Sequence, residues 1–225
     1  MEPSLPFQPS LLGAEPPGFD PTFAGVTRIR LDERSWLDHA PGFLRGSDAV
    51  FEEVLAARAW GQRRRWMYER RVLEPRLTSP WDGEGDDVLR PRVLEDLRRA
   101  LGARYGVVFD SVGFNLYRDG RDGVAWHSDK IARSIPEPVI VLVSLGEPRS
   151  FLLRPKGGGR SLKFALGRGD LLATGGTTNW RFEHCVPKVA RAGPRISVAY
   201  RHGLDPRAYR GEWTPDPRGS TSGSG

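Results

Sequence analysis

Apolar residues recur at the spacing of a helix in two stretches of the first half of the chain. Ser47 or Asp48 is a typical N-terminal cap, and the helix that follows it should end near Gly61. The apolar positions of this helix are Val50, Phe51, Val54 and Leu55. A second helix should carry Pro91 in its first turn. Its apolar face is formed by Val93, Leu94, Leu97 and Leu101. The pattern therefore predicts two helices before Val107.

From Val107 onward, the apolar pattern changes to short runs rich in β-branched and aromatic residues, separated by turn residues. The runs are VVFDSVGFNLY, VIVLVSL, SFLLR, SLKFAL, DLLAT, RFEHCV and RISVAYR. No helical periodicity interrupts them. Two helices followed by these strands predict an α+β domain whose strands form a sandwich or jelly roll.

Both ends of the chain lack this patterning. Residues 1–25 are rich in Pro and Gly, which predicts an irregular N-terminal arm. The Gly and Ser content of residues 214–225 predicts a disordered tail. A chain of 225 residues is long enough for one domain with a core and too short for two. We therefore expect residues 26–213 to form a single domain.

The composition of the chain bears on its binding partner and on its cellular compartment. The chain has 34 Lys plus Arg, most of them Arg, against 28 Asp plus Glu, and a net charge of +6. This excess fits a polyanionic partner, but a GC-rich genome would also encode many arginines. The single cysteine, Cys185, excludes an internal disulfide framework. The longest apolar run, Val139 to Val143, is far shorter than a membrane span, and no signal peptide is visible. We expect a cytoplasmic monomer without a membrane partner.

A candidate metal site begins at His127 and Asp129, which stand two residues apart in NLYRDGRDGVAWHSDK. In an extended segment, residues two apart point to the same face. An HxD pair is weak evidence by itself, but His184 on a separate predicted strand supplies a second imidazole. Two imidazoles and one carboxylate leave open positions on non-haem Fe(II). Zinc could use the same ligands, and the residues alone do not discriminate between the metals.

A candidate anion site lies in RISVAYR. Strand alternation places on one face Arg195, Ser197, Ala199 and Arg201. Two guanidiniums are costly to bury without anions, and a dicarboxylate would supply two. The alternative is an edge strand with two solvated arginines. Asn115 and Tyr117 share a face of an earlier strand and offer an amide and a phenol as hydrogen-bond donors.

Taken together, these segments resemble the catalytic core of the AlkB family of Fe(II)- and 2-oxoglutarate-dependent dioxygenases, of the bacterial alkylation-repair type. The likeness spans roughly residues 60–203 and lies in NLYRDGRDGVAWHSD, PVIVLVSLGEPRSFLLR, GDLLATGGTTNWRFEHCVP and PRISVAYR. It implies a double-stranded β-helix, a jelly-roll variant, as the core of a catalytic domain with flanking N-terminal helices. It also implies Fe(II), 2-oxoglutarate and O2 as cofactor and cosubstrates.

The resemblance assigns a role to each matching residue. It implies that Fe(II) is bound by His127, Asp129 and His184. It implies that 2-oxoglutarate is bound by Asn115, Tyr117, Arg195 and Arg201. Ser197 stands where family members commonly have Asn, and it lacks the amide donor of that residue. The implied reaction removes alkyl groups from nucleic-acid bases, such as 1-methyladenine or 3-methylcytosine, and yields formaldehyde, succinate and CO2. We expect DNA rather than RNA as the substrate.

Residues 60–82 interleave aromatic residues with arginines. An enzyme that acts on a flipped base needs an aromatic wall and charge for the phosphates. A basic loop held by core tryptophans through cation–π contacts would give the same pattern. The family places its nucleotide-recognition lid in this region, which implies as substrate contacts Trp66, Tyr68 and Arg76.

Two other functions remain open from the sequence. The same iron chemistry could hydroxylate or demethylate a protein or a small molecule, because fold and ligand set do not fix the substrate. A non-catalytic nucleic-acid binder that retains the fold is the other alternative.

Overall fold

The computed structural model describes residues 15–67, 70–81, 88–203 and 213–215. Its strands, in chain order, are β1 Gly18–Phe19, β2 Thr27–Arg30, β3 Ser35–Ala40, β4 Leu44–Arg45, β5 Gly61–Met67, β6 Arg70–Leu73, β7 Leu77–Trp81, β8 Ser111–Tyr117, β9 Val124–His127, β10 Ile140–Gly146, β11 Arg149–Pro155, β12 Leu162–Leu166, β13 Leu171–Gly176, β14 Phe182–Val186, β15 Arg195–Arg201 and β16 Trp213–Pro215. Its helices are α1 Ser47–Ala57, α2 Arg92–Tyr105 and α3 Thr178–Arg181.

Most strands belong to two antiparallel sheets. The larger sheet has the order β16, β5, β7, β8, β15, β10, β13, β3, β2, with β6 paired to β5. The smaller sheet has the order β12, β11, β14, β9, and β1 pairs separately with β4. Neighbours along the larger sheet are often distant in sequence, as β8 and β15 are. Such crossing connections between two facing sheets are those of a jelly roll.

Two apolar cores hold the layers together. The larger core lies between α1, α2 and one face of the larger sheet and includes Phe51, Leu97, Phe114 and Val198. The smaller core joins the other face to the smaller sheet through residues such as Leu37, Phe151 and Leu172. Each fully buried Leu or Phe side chain contributes about 1.5–3 kcal/mol to folding. The predicted α+β class, with helices flanking a jelly roll, is confirmed.

The bounds of the first helix differ from those predicted. The N-cap is Gly46, in a left-handed conformation at φ 62°, and not Ser47 or Asp48. The helix also stops at Ala57, several residues short of Gly61. Arg58 leaves helical geometry, and its guanidinium donates to the carbonyl of Pro80 at 2.7 Å. This contact ties the end of α1 to β7.

The sequence did not predict the strands that precede Val107. Within residues 1–25, β1 pairs with β4 and Phe23 is buried, while residues 1–14 lie outside the described part. At the other end, Thr214 and Pro215 belong to β16. In the described part of the chain, no helix has the length and apolar character needed to cross a membrane.

A buried ion cluster on α2 makes stability depend on pH. Glu95 accepts hydrogen bonds from Arg98 at 2.8 Å and from Arg99 at 2.8 Å, and it is 6% exposed. The bonds from Arg98 are the main reason that the pKa of Glu95 lies below its ordinary value of 4.5. A carboxylate with a depressed folded pKa stabilises the fold above its unfolded pKa, and this contribution is lost as the pH falls through the folded pKa.

We therefore expect Glu95→Gln to lower the free energy of unfolding at pH 7 by about 1–3 kcal/mol, because charge-assisted hydrogen bonds are lost. The difference from the unmutated protein should shrink as the pH falls below about 4.5. Urea unfolding at a series of pH values measures this difference in the free energy of unfolding. Glu53→Gln, at an exposed position of α1, is the matched control and should have little effect. A Glu95→Gln loss that does not change with pH would contradict this account.

Candidate functional site

A cavity of about 200 Å³ opens between the two sheets. Its wall includes the candidate residues Arg76, Asn115, Tyr117, His127, Asp129, His184, Arg195, Ser197 and Arg201. They come from β8, β9, β14 and β15, from the residues just after β9, and from the residue just before β7. Residues far apart in sequence thus meet around a single space.

The two histidines meet because β9 and β14 pair. His127 is the register partner of His184, and their ring centroids lie 4.3 Å apart. Nδ1 of His127 is 2.9 Å from the carbonyl oxygen of Ala125, an acceptor, so this nitrogen carries the proton. The other ring nitrogen, Nε2, is then left with a lone pair, as a metal ligand requires.

Asp129 completes the cluster. Its Oδ2 lies 3.9 Å from Nε2 of His184. Its Oδ1 accepts a hydrogen bond from Nε of Arg201 at 2.9 Å and lies 2.8 Å from Nη2 of the same guanidinium. Burial alone would raise the pKa of Asp129, but Arg201 and the two histidines hold it well below its usual range. The carboxylate is therefore ionised at neutral pH.

The histidines are held in the neutral state. Burial, followed by the proximity of His127, lowers the pKa of His184 to about 3. Burial is also the main cause that lowers the pKa of His127. Two neutral imidazoles beside an ionised carboxylate are the protonation states that a divalent cation needs in its ligands.

These donors could hold a metal after a small movement. Neighbouring ligands at bonds of about 2.1 Å lie about 3.0–3.4 Å apart, so the 3.9 Å between His184 and Asp129 is slightly too wide. Accordingly, within the described ranges, no three His, Cys, Asp or Glu side chains stand in closed ligand geometry. The chemistry of the donor set fits Fe(II), and the gap between His184 and Asp129 would have to narrow when a metal binds.

Arg195 provides a site for an anion. It is 1% exposed, and its Nη2 donates to Oγ of Ser144 at 2.6 Å. Among the described residues, its Nε and Nη1 have no hydrogen-bond partner. Tyr117 lies beside it, with the ring centroid 5.3 Å from the guanidinium carbon. A buried guanidinium with two open nitrogens is costly unless a carboxylate pairs with it, so this part of the cavity fits one end of a dicarboxylate.

The predicted lid is only partly described. Arg76 lines the cavity, its side chain is 13% exposed, and its Nη2 lies 3.3 Å from Oε2 of Glu74. The side chain of Trp66 and the whole of Tyr68 lie outside the described part. The amide of Gly123 donates to the carbonyl of Pro75 at 2.8 Å, which ties the turn before Arg76 to the segment leading into β9.

Sequence reasoning missed two residues at this site. Ser144, the register partner of Ser197, holds the Arg195 guanidinium. Asn179 binds the backbone of Asp129 through its side-chain amide. A hydroxyl inside an apolar strand was a faint signal for the first, and nothing in the sequence pattern marked the second.

Comparison with known proteins identifies the class. The sequence profile of the 2OG-Fe(II) oxygenase superfamily matches residues 63–206. The chain therefore belongs to the 2OG-Fe(II) oxygenase superfamily. A solved structure described as "The structure of OsALKBH1" superposes with a TM-score of 0.56 at 16% identity, covering 78% of this chain and 100% of that one. This likeness shows the fold.

Relatives narrow the class further. The alpha-ketoglutarate-dependent dioxygenase alkB homolog 3 of Bos taurus is 32% identical over 218 residues, and that of Homo sapiens 30%. Each alignment covers 87% of this chain and 70% of the relative. The DNA oxidative demethylase ALKBH2 of Homo sapiens is 30% identical over 118 residues, 48% of this chain and 45% of the relative. The chain is thus a 2-oxoglutarate-dependent dioxygenase of the AlkB type, which uses Fe(II), 2-oxoglutarate and O2.

The open nitrogens of Arg195 lead to a prediction about stability. Arg149 is also buried, but its guanidinium donates to the carbonyls of Asp119, Asp122 and Pro187 at 2.8–2.9 Å. We expect Arg195→Met to leave the melting temperature of the ligand-free protein unchanged or raised, because a partly unsatisfied buried charge is removed. Arg149→Met should lower it by several degrees, because three carbonyls lose their donor and each 1 kcal/mol shifts Tm by about 2–4 °C.

Thermal unfolding with and without 2-oxoglutarate, in the presence of Mn²⁺, measures both effects. The unmutated protein should gain stability from 2-oxoglutarate, and Arg195→Met should lose that gain. An Arg195→Met protein that is destabilised like Arg149→Met, or that keeps the full gain, would exclude Arg195 as the carboxylate partner.

Proposed function

We propose that this protein removes alkyl groups from nucleic-acid bases by oxidation, with N-methyl adducts such as 1-methyladenine and 3-methylcytosine in DNA as substrates. The observation that carries the proposal is the cavity that joins the His127, Asp129 and His184 cluster to Arg195 and to Arg76 of the predicted lid. The printed names of the relatives, an alkB homolog 3 and a DNA oxidative demethylase, support it. We further propose that the enzyme acts as a cytoplasmic monomer.

In this proposal, Fe(II) is bound by His127, Asp129 and His184. Bound Fe(II) supplies the chemistry by which O2 oxidises both 2-oxoglutarate and the alkyl carbon. The protein keeps both imidazoles neutral and the Asp129 carboxylate ionised. Arg201 fixes one oxygen of that carboxylate, which leaves the other, Oδ2, facing His184.

The residues that would hold the cosubstrate lie on β8 and β15. Nε and Nη1 of Arg195, which have no hydrogen-bond partner among the described residues, would pair with the distal carboxylate of 2-oxoglutarate, and Tyr117 and Asn115 from β8 would donate hydrogen bonds to it. Arg201, next to Asp129, provides positive charge for the carboxylate at the metal end. Ser197 contributes a hydroxyl opposite Asn115 in the register of the two strands. Its shorter side chain leaves Arg195 as the main contact for the distal carboxylate.

The substrate would bind where cationic side chains line the cavity. Arg63, Arg76 and Lys130 line the cavity together with the metal cluster and give it positive charge. Cationic side chains at the mouth of a cavity attract the phosphates of a strand whose damaged base has left the stack. Oxidation converts an N-methyl group to N-hydroxymethyl, which releases formaldehyde and restores the base. In the same turnover, 2-oxoglutarate yields succinate and CO2.

The first test is product formation. The anaerobically reconstituted enzyme should release formaldehyde from 1-methyladenine and 3-methylcytosine oligonucleotides once O2 is admitted. Asp129→Ala should lose at least 100-fold of this activity, because the only carboxylate of the cluster is removed. Succinate without formaldehyde would point to a protein or small-molecule substrate. Absence of both products from the unmutated enzyme would overturn the proposal.

The second test concerns the cavity mouth. Arg76→Ala should reduce formaldehyde release at low oligonucleotide concentration by about 10-fold, because a cation beside the metal cluster is lost. Succinate formed without oligonucleotide should be unchanged. Arg92→Ala, which removes a 91% exposed charge from α2, is the control of equal net charge and should behave as the unmutated enzyme. Equal effects of the two variants would show that formaldehyde release depends only on the net charge of the protein.

A further inference from the structure

Asp129 lies beyond the end of its strand. β9 ends at His127, so the antiparallel ladder with β14 that fixes His127 does not extend to Asp129. At Asp129, hydrogen bonds with the side chain of Asn179 replace the hydrogen bonds of a paired strand. Oδ1 of Asn179 accepts a hydrogen bond from the backbone amide of Asp129 at 3.0 Å, and Nδ2 donates to the backbone carbonyl of the same residue at 3.1 Å.

A carboxamide has the same donor and acceptor groups as a peptide unit. Two bonds to one residue therefore fix both the position and the rotation of the Asp129 backbone, as a neighbouring strand would. Asn179 is 5% exposed, so water competes little for these bonds. It is not among the residues that line the cavity, and it therefore acts through Asp129 and not on a ligand directly.

Asn179 is itself firmly anchored. It lies on α3, the single turn between β13 and β14. The hydroxyl of the preceding Thr178 accepts from the amide of Trp36 at 3.1 Å and lies 2.6 Å from the carbonyl of Gly175, to which it donates. On the other side of the contact, Oγ of Ser128 donates to the carbonyl of Phe182 at 2.8 Å. These bonds lock the 128–129 segment against the 178–182 segment.

The same short segment thus places two of the three candidate ligands. α3 runs directly into β14, which carries His184, and it also holds Asp129 through Asn179. We infer that Asn179 is a positioning residue that keeps the Asp129 carboxylate in ligand register with the two histidines. This inference rests on the ligand assignment proposed above.

The test is Co²⁺ binding to the metal-free protein. Calorimetry measures the Kd, and the visible spectrum reports the coordination of the bound ion. Asn179→Ala removes both hydrogen bonds. Asn179→Asp keeps the shape of the side chain but sets an oxygen, in place of the donor, against the Asp129 carbonyl. Both variants should raise the Kd for Co²⁺ by about 10–100-fold and alter the spectrum.

Thr177→Ala is the matched control. It removes a hydroxyl pair with Ser35, at 2.8 Å, from the same turn without touching Asp129. Its Kd should stay within about 2-fold of the unmutated value, and the melting temperature of the metal-free protein should be similar in the control and the Asn179 variants. In an Asp129→Ala background, Asn179→Ala should add less than about 3-fold, because the residue through which it acts is gone.

The possible failures are distinguishable. If Asp129→Ala binds Co²⁺ as the unmutated protein does, the ligand assignment itself is wrong. If Asp129→Ala weakens binding but Asn179→Asp and Asn179→Ala do not, the ligand assignment stands and the positioning role of Asn179 is overturned. If Asn179→Ala does not fold, the near-isosteric Asn179→Asp decides the question alone.

Discussion

The antiparallel pairing of β9 with β14 places His127 opposite His184 at the edge of the smaller sheet. Backbone hydrogen bonds set this arrangement, so the two imidazoles are brought together before any ligand binds. Burial disfavours the charged form of an imidazole, and it is the largest cause that lowers the pKa of each of these histidines. The remaining parts of the site complete this pair: Asp129 adds the negative charge, and Arg201 holds that carboxylate in its ionised state.

Arg149 and Arg195 show how one residue type serves two purposes in the same fold. Both are buried, and burial lowers the pKa of both. Arg149 donates to three backbone carbonyls and so joins the β8–β9 connection to the chain after β14. Arg195 donates to Ser144, and its buried Nε and Nη1 have no hydrogen-bond partner among the described residues. The first arginine stabilises the fold, whereas the second retains its binding capacity for an anion.

Strand alternation predicted the cavity face of β15, because Ile196, Val198 and Tyr200 pack in the core while Arg195 and Ser197 line the cavity. The sequence predicted His127, Asp129 and His184 as metal ligands because His184 adds a second imidazole to an HxD pair that is weak evidence alone, and the structure places all three side chains in the wall of one cavity. The strands before Val107 were not visible. β5 has the sequence GQRRRWM, which lacks the alternation of apolar and polar residues typical of a strand. β3 places a charged residue, Asp38, in the interior, where it is paired with Arg28 and Tyr105. Asn179 was hidden because its role depends on a contact 50 residues away.

The net positive charge of the chain does not by itself describe its binding surface. Some arginines outside the cavity are paired locally. Arg121 pairs with Asp119, and Arg154 pairs with Glu183 and stacks over Trp126 at 3.9 Å. Such pairs place each positive charge beside a negative one and reduce its attraction for a distant phosphate. The cavity gathers three cations in one place, because Arg63, Arg76 and Lys130 share its wall with the candidate metal ligands, although Arg76 also lies 3.3 Å from Glu74. Recognition of a polyanionic substrate is therefore expected at the cavity mouth, where these cations adjoin the reacting centre, and not over the surface as a whole.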